Sequence, residues 1–512
     1  MKKTLSILLA LLLLSGVCAG CAASPAGEAV ITSPAELNDS RYTVGYSVGT
    51  ASAADAEAYY TQAELALYTD GTDGYVAVEN GKLDGFVFSR VNMEYAIASG
   101  GLHNVHLLDE SIGRKTEVVV GVSRLSEIPG LRERLNAFIR TIHADGSFDE
   151  IYERWIVRGE KEMPEIPEPK DPDFTIRIGT CGEIEPFAYY INDTLAGLDI
   201  ELALRFAASI NAKVEFFAAL FTPLIAAAES GSIDCIFANL NATPERAEVM
   251  DFSDPIYTLD TAVMVRGEDP DGEGTRGSFF ESMRESFEKT FIREARWRMI
   301  LRGLGVTVFI SVLSAVFGTA LGFGICLLRR RGGIPFGVTT VYIRIMQGMP
   351  LLVLLMVLYY LVFPQAGMSG EWVAIIGFSL HFAAYVSEIM RSGIESIDKG
   401  QTEAALALGF TKQQAFLRFV FPKAARHFLP VYRGEFISMI KMTSVVGYIA
   451  VQDLTKISDI IRSRTYEAFF PLISTALIYF LLSALLSALL RRIELRLEPD
   501  RTNRRVKGVK LS

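Results

Sequence analysis

Apolar runs of membrane-spanning length begin near Gly303 and recur through the rest of the chain, separated by polar segments. Five can be drawn, over 301–328, 338–363, 371–391, 432–452 and 468–490. Each is near the ~20 residues that an α-helix needs to cross the hydrocarbon core. A helix also satisfies its own backbone polar groups there. Before Gly303 the pattern changes. Short β-branched runs, such as Tyr42-Thr43-Val44-Gly45-Tyr46 and Phe174-Thr175-Ile176-Arg177-Ile178-Gly179, alternate with helical stretches. That alternation predicts parallel sheets with helices on their faces. A Pro-rich acidic linker, 159–173, carries Pro164, Pro167, Pro169 and Pro172 and divides the soluble part in two. Residues 278–300 place Phe280, Met283, Phe287 and Phe291 at helical spacing. They read either as an amphipathic helix lying in the outer interface or as an early start of the first span.

At the N-terminus, Lys2 and Lys3 precede an apolar run from Leu5 to Leu14 and then small residues. This predicts an export signal, too short for a membrane span. Basic residues orient the spans. Arg329, Arg330 and Arg331 follow the first run, a basic stretch 391–430 follows the third, and Arg491, Arg492, Arg504, Arg505 and Lys507 follow the fifth. These segments, including the tail 496–512, are expected in the cytoplasm. The connections 364–370 and 453–467 are expected outside. The second is the weak point of that topology, because it contains Lys456, Arg462 and Arg464.

The net charge of −9 over 512 residues averages two unlike halves. Acidic residues crowd the first half, and no basic stripe suited to nucleic acid stands out. The five Cys and five His show no metal-ligand spacing, so no metal site is expected. There is no Ser-His-Asp arrangement, no HExxH and no GxxxxGK[ST] phosphate loop. An enzyme is therefore not expected, and any ATP would be bound by another polypeptide. Gly318 and Gly322 form a GxxxG face suited to close helix packing.

The segment Gln401-Thr402-Glu403-Ala404-Ala405-Leu406-Ala407-Leu408-Gly409, followed by Phe419, Phe421 and Pro422, resembles the EAA loop of ABC importer permeases. The resemblance implies a short cytoplasmic helix docked on an ATPase subunit through Glu403, Ala404, Ala405, Gly409 and Pro422. It extends over roughly 295–495. Tyr342-Ile343-Arg344, Gly348-Met349-Pro350, Ala384 to Ile394 and Phe436 to Ser444 are similar to the polar amino-acid branch. A permease homodimer in the bacterial cytoplasmic membrane, in contact with lipid, is implied.

The soluble half resembles the extracytoplasmic solute-binding proteins of the same importers, in rotated order. Segment 30–158 is similar to lobe two with the closing helices, through Ser33-Pro34, Val44 to Thr50, Asn80-Gly81-Lys82 and Ala144-Asp145-Gly146-Ser147-Phe148. Segment 174–266 is similar to lobe one, through Glu185-Pro186-Phe187, Gly197-Leu198-Asp199, Thr243-Pro244-Glu245-Arg246 and Asp251-Phe252-Ser253-Asp254. The fold class expected is thus mixed: a two-lobed α/β binding-protein-like domain, circularly permuted, then an all-α membrane domain of five helices over 301–495. Two unrelated halves, or lobes swapped between protomers, are the rival arrangements. The text Val17-Cys18-Ala19-Gly20-Cys21 resembles a lipoprotein cleavage site, implying signal 1–21 and lipidation of Cys21, with ordinary cleavage as the alternative.

By the same resemblance Arg246 holds a ligand carboxylate. A guanidinium fork suits that group, and a helix N-terminus adds a favourable dipole. Asn239 and Asn241 stand where hydroxyl residues are usual, and Thr50 and Ser52 line the opposite lobe. Phe187 and Phe221 are either cleft aromatics or core. Ser89 stands where an Asp usually meets the ligand amine, and Cys181 replaces a carboxylate used for basic ligands. The function expected is import of amino acids or related small polar carboxylates by a permease fused to its receptor. The alternatives are a ligand-gated channel, in which an EAA loop has no place, and a sensing receptor, which would need an output domain.

Overall fold

The computed structural model describes residues 31–267 and 279–497, apart from 49, 70, 100, 101, 103, 192, 193, 220 and 364–367. The expected export signal with Cys21, and the tail from 498, lie outside the described residues.

The chain opens with β1 (Thr43–Ser47), α1 (Ala51–Tyr59), β2 (Glu64–Tyr68), α2 (Gly71–Glu79), β3 (Gly85–Ser89) and α3 (Arg90–Ala98). β1 pairs in parallel with both β2 and β3, so each connection must be a crossover helix. Val44, Phe86 and Val87 are fully buried between the sheet and those helices. After β4 (Val105–Leu107), the long strand β5 (Ile112–Ser123) leaves this lobe. Helices α4 (Leu131–Ala144) and α5 (Ser147–Tyr152) follow it.

Beyond the linker come β6 (Phe174–Thr180), the small antiparallel strands β7 (Glu183–Ile184), β8 (Ala188–Ile191) and β9 (Thr194–Ala196), and α6 (Leu198–Ser209). Next are β10 (Ala212–Ala218), α7 (Phe221–Glu229), β11 (Cys235–Asn241), α8 (Pro244–Val249), β12 (Met250–Phe252) and β13 (Tyr257–Arg266). Strand order is β2-β1-β3-β13-β4 in one lobe and β10-β6-β11-β5-β12 in the other. Each lobe thus has a parallel trio, an antiparallel crossing strand and a short outer strand. β5 and β13 pair with each other at Val118–Tyr257, Glu117–Thr258 and Thr116–Leu259, which makes them the two strands of the hinge. The stretch 174–266 is therefore not all lobe one: Thr261 to Val265 pair with β3 of lobe two.

The closing helices are pinned to lobe one by Glu201, which is fully buried. It accepts from Trp155 Nε1 at 2.7 Å and from Arg154 at 2.7 and 2.9 Å, and Arg205 reaches it at 2.8 Å. A buried carboxylate is tolerated only when its lone pairs are satisfied in this way.

The membrane half starts with α9 (Phe279–Phe287), which continues as a wider turn over Glu288–Ile292. Glu294 and Ala295, at φ +55° and +50°, then break the helix before α10 (Arg296–Arg329). The stretch before the first span is thus a separate element, with Phe287 and Phe291 packed on Phe470. The second apolar run is not one straight helix. α11 (Gly333–Gly348) and α12 (Leu351–Val357) meet at a bend of 108°. Pro350 causes it, having no N–H to donate and forcing Met349 out of the helical region, to ψ 132°.

α13 (Gly370–Glu395) is continuous. α14 (Lys399–Ala407) and α15 (Lys412–Ala415) lead into α16 (Phe421–Met442). The run expected as a span over 432–452 is α-helical only to Met442, then tightens over Thr443–Ile449. α17 (Leu454–Thr465) follows at a bend of 55°, and α18 (Phe469–Leu497) ends the described chain. Among the described residues, three helices are long and apolar enough to span a membrane, or up to five spans if each bent pair counts once. On α10 the GxxxG face meets α13: a Cβ on Gly318 would sit 3.0 Å from the Ser379 carbonyl, and one on Gly322 2.8 Å from that of Ala383.

Candidate functional site

Two cavities lie between the lobes and share Thr50, Phe88, Ile184 and Phe221 in their walls. One gathers Arg246, Asn239, Asn241, Phe221, Thr50, Ser52 and Ser89, seven of the eight residues singled out in the sequence for ligand binding. It measures about 60 Å³ and its neighbour about 80 Å³. At roughly 10–15 Å³ per water on this measure, the first holds about four to six water-sized groups. The lobes touch across the cleft: Tyr95 donates to Glu185 Oε1 at 2.8 Å, and Asn239 Nδ2 to Asn92 Oδ1 at 3.4 Å. The conformation is a closed one.

Arg246 sits on the short helix α8, whose N-cap Thr243 accepts its backbone N–H. It is only 7% exposed, and burial brings its guanidinium down to about 10, still cationic at neutral pH. Nη1 donates to the Asn241 carbonyl at 2.7 Å, and the guanidinium carbon lies 4.5 Å from the Phe221 ring centroid. Phe221 thus faces the cleft and stacks on the cation. Asn239 occupies a bulge in β11 at φ +49°. That turn directs its N–H to buried Asp199 at 2.7 Å and sets its Oδ1 3.2 Å from the Tyr257 hydroxyl. Burial pushes Asp199 up to about 7, the hydrogen bond from Asn239 opposing it. Thr50 donates to the Ser47 carbonyl and shares a 2.8 Å hydrogen bond with Ser52. Ser89 Oγ is sealed from solvent and has no hydrogen-bond partner among the described residues.

Phe187 does not line the cleft. It is fully buried and stacks at 8° on Tyr257, in the core of lobe one. Its neighbours Glu183 and Glu185 line the second cavity instead, with Cys181. Asp260 also lines the Arg246 cavity, next to the hinge residue Thr261 that pairs with Ser89. Asp260 carried no signal in the spacing of residues, because only the fold brings the middle of β13 to the start of its pairing with β3.

At the far end, α14 presents Glu403 and Ala404 on its surface, while Ala405 is buried. Gly409 ends the turn at φ +84°, a region open to glycine without strain. Leu408 is 76% exposed and Pro422 is exposed, so Glu403, Ala404, Leu408 and Pro422 lie uncovered while Ala405 packs inward. Phe410 and Phe419 close that turn from behind, 5.1 Å apart. On α13, Glu388 pairs with Arg329 and with Arg391.

The cations of 453–467 that weakened the topology all meet acids or carbonyls. Lys456 pairs with Glu183, and Arg462 pairs with Asp73. Arg464 donates to Glu294 at 2.9 Å and to the Tyr190 carbonyl. They face the soluble half and are not free surface charges. This pairing connects residues far apart in sequence and carries no local signal.

Residues 314–499 match the family described as binding-protein-dependent transport system inner membrane component. The arginine transport system permease protein ArtQ of Bacillus subtilis is 34% identical over 204 residues, 39% of this chain and 93% of that protein. The L-cystine transport system permease protein TcyB of the same organism is 35% identical over 211 residues, 40% of this chain and 90% of that protein. The crystal structure of an amino acid ABC transporter with histidines aligns with 43% of this chain and 100% of its own, at 33% identity and a TM-score of 0.37. A periplasmic substrate-binding protein of an ABC transporter from Coxiella burnetii aligns with 45% of this chain and 87% of its own, at 15% identity and a TM-score of 0.22. With 93% of a relative aligned at 34% identity, the chain belongs to the binding-protein-dependent transport system inner membrane components, as a permease akin to those of amino-acid ABC transporters.

Proposed function

We propose that this chain is an importer permease that carries its own receptor, a circularly permuted two-lobed domain, on the outer face of the cytoplasmic membrane. The single observation that carries the reading is the convergence of Arg246, Asn239, Asn241, Ser89 and Asp260 in one interlobe cavity. Arg246 takes the solute carboxylate in a two-point contact. Asp260 takes the amine in place of the Asp missing at Ser89, which restores an α-amino acid as the solute. Arg246 is buried and needs such a partner, whereas Asp260 is part exposed and within 3.8 Å of Lys115, which the amine would displace. The matching lobe sheets support permutation: the chain starts and ends its soluble half in the same lobe, and the proline linker joins the closing helices to β6.

A separate ATPase subunit binds ATP and docks on the exposed turn around Glu403, Ala404, Ala405, Gly409 and Pro422. Two copies of the chain form the path, with the uncovered apolar faces of α10 and α18 against lipid or the partner. The lipidation of Cys21 would tether the free end of the receptor. The relatives named for arginine and L-cystine define the class to test. Titration of the full chain in nanodiscs with L-arginine, L-glutamine and L-cystine is expected to show binding of at least one. Arg246→Gln is expected to weaken it at least about a hundredfold, as loss of a buried charge-assisted pair does. Equal affinity in Arg246→Gln would refute the site.

A further inference from the structure

Helix α17 belongs to the permease half, yet its end forms a wall of the cavity beside Arg246. Ser463 and Tyr466 line that cavity with Thr72 and Tyr75 of one lobe and Glu185 of the other. The wall between it and the Arg246 cavity is formed by residues common to both, Phe88 and Phe221 among them. Tyr466 caps α17 at φ +54°, costly for a bulky residue, with its N–H held by the Arg462 carbonyl at 2.9 Å. It is 7% exposed, and its ring lies 6.2 Å from that of Tyr75. The same helix is tied to one lobe through Lys456–Glu183 and to the other through Arg462–Asp73. Because the lobes pivot about β5 and β13, one rigid helix cannot keep both ties when the cleft opens.

We propose that α17 is the third wall of the solute site. An amino acid held at Arg246 parts the Phe88 and Phe221 side chains that separate the two cavities, and the polar end of its side chain meets Ser463 and the Tyr466 ring. The permease half thereby selects which solutes its own receptor accepts. The solutes favoured are α-amino acids with an extended side chain ending in a hydrogen-bonding group. Glycine, lacking a side chain, fills only the Arg246 cavity. This inference rests on the reading of the cleft as a solute site.

The test is calorimetric titration of the full chain in nanodiscs with L-glutamine, L-arginine, L-cystine and glycine. Wild type is compared with Arg246→Gln, Ser463→Ala, Tyr466→Ala and Tyr466→Gly. Tyr466→Gly suits the left-handed backbone, so a loss common to both Tyr466 variants belongs to the ring. Both are expected to weaken the best extended amino acid by about tenfold and to leave glycine within about twofold. A purely structural role for Tyr466 would alter melting but not that ratio. Should Arg246→Gln abolish binding while the Tyr466 and Ser463 variants match wild type for all four, the third-wall proposal is overturned and the cleft reading stands. Should wild type bind none of the four, the cleft reading falls and the proposal with it.

Discussion

Asp199 is 2% exposed and lies behind the Asn239 bulge that shapes the cleft. Its carboxyl is raised from 3.8 to about 7 by burial. In the unfolded chain it ionises near 4, so the folded state holds the extra proton between about pH 4 and pH 7. Stability linked to this group is complete below pH 4 and is lost as pH rises through 7. About three pH units at about 1.4 kcal/mol each gives up to about 4 kcal/mol. Asn in its place keeps the acceptor for the Asn239 N–H and carries no charge. Asp199→Asn is therefore expected to raise the thermal midpoint at pH 8 and to leave it unchanged at pH 4. Differential scanning fluorimetry reads this through buried Trp155. A variant less stable than wild type at pH 8 would mean that ionised Asp199 is favoured in the fold. The place of a residue in the cleft was legible in the sequence where a motif framed it, as with Arg246 in Thr-Pro-Glu-Arg. It was not legible for Phe187, whose place behind Tyr257 depends on the packing of β13 against lobe one.

At the scale of elements, the apolar runs coincide with three long apolar helices and two bent helix pairs among the described residues, but do not mark the breaks. Pro350 is a local signal and the bend there follows from it. The tightening after Met442 has no comparable residue; it follows from packing against α12 and α17. The GxxxG face on α10 is the clearest case of a pattern with a single structural purpose. Gly322→Leu puts a side chain into space already filled by the Ala383 carbonyl and Val386. Overpacking of this kind costs about 1–3 kcal/mol. The variant is expected to lower the thermal midpoint in detergent, while Gly324→Leu, on a face with no neighbour within 4 Å, is not. Equal loss in both would remove the helix contact as the cause. On the exposed turn, Gly409→Val opposes the left-handed backbone and is expected to reduce coupling to the ATPase with solute affinity unchanged. Reduced solute affinity in that variant would contradict the separation of the two sites.

For the whole molecule, the two-part organisation, an α/β half followed by a helical membrane half, could be read from strand and span patterns. The joint between the halves could not. Its ion pairs link residues hundreds of positions apart, and a charged outer segment looks, in sequence, like a topology error. In the structure those cations bind the receptor to the permease. Arg462→Glu alone sets like charge against Asp73, and Asp73→Arg restores the pair reversed. Solute-stimulated ATP hydrolysis is expected to fall in the single variant and to recover in the double one. No recovery would mean that the pair does not join the halves.

The central claim is that receptor and permease act as one chain. Its most direct measurement is solute-stimulated ATP hydrolysis in proteoliposomes holding this chain and its ATPase subunit, with no separate binding protein added. Stimulation by an amino acid is expected, and Arg246→Gln should abolish it while basal hydrolysis stays. Stimulation that appears only when a separate binding protein is supplied, or that survives Arg246→Gln, would contradict the account.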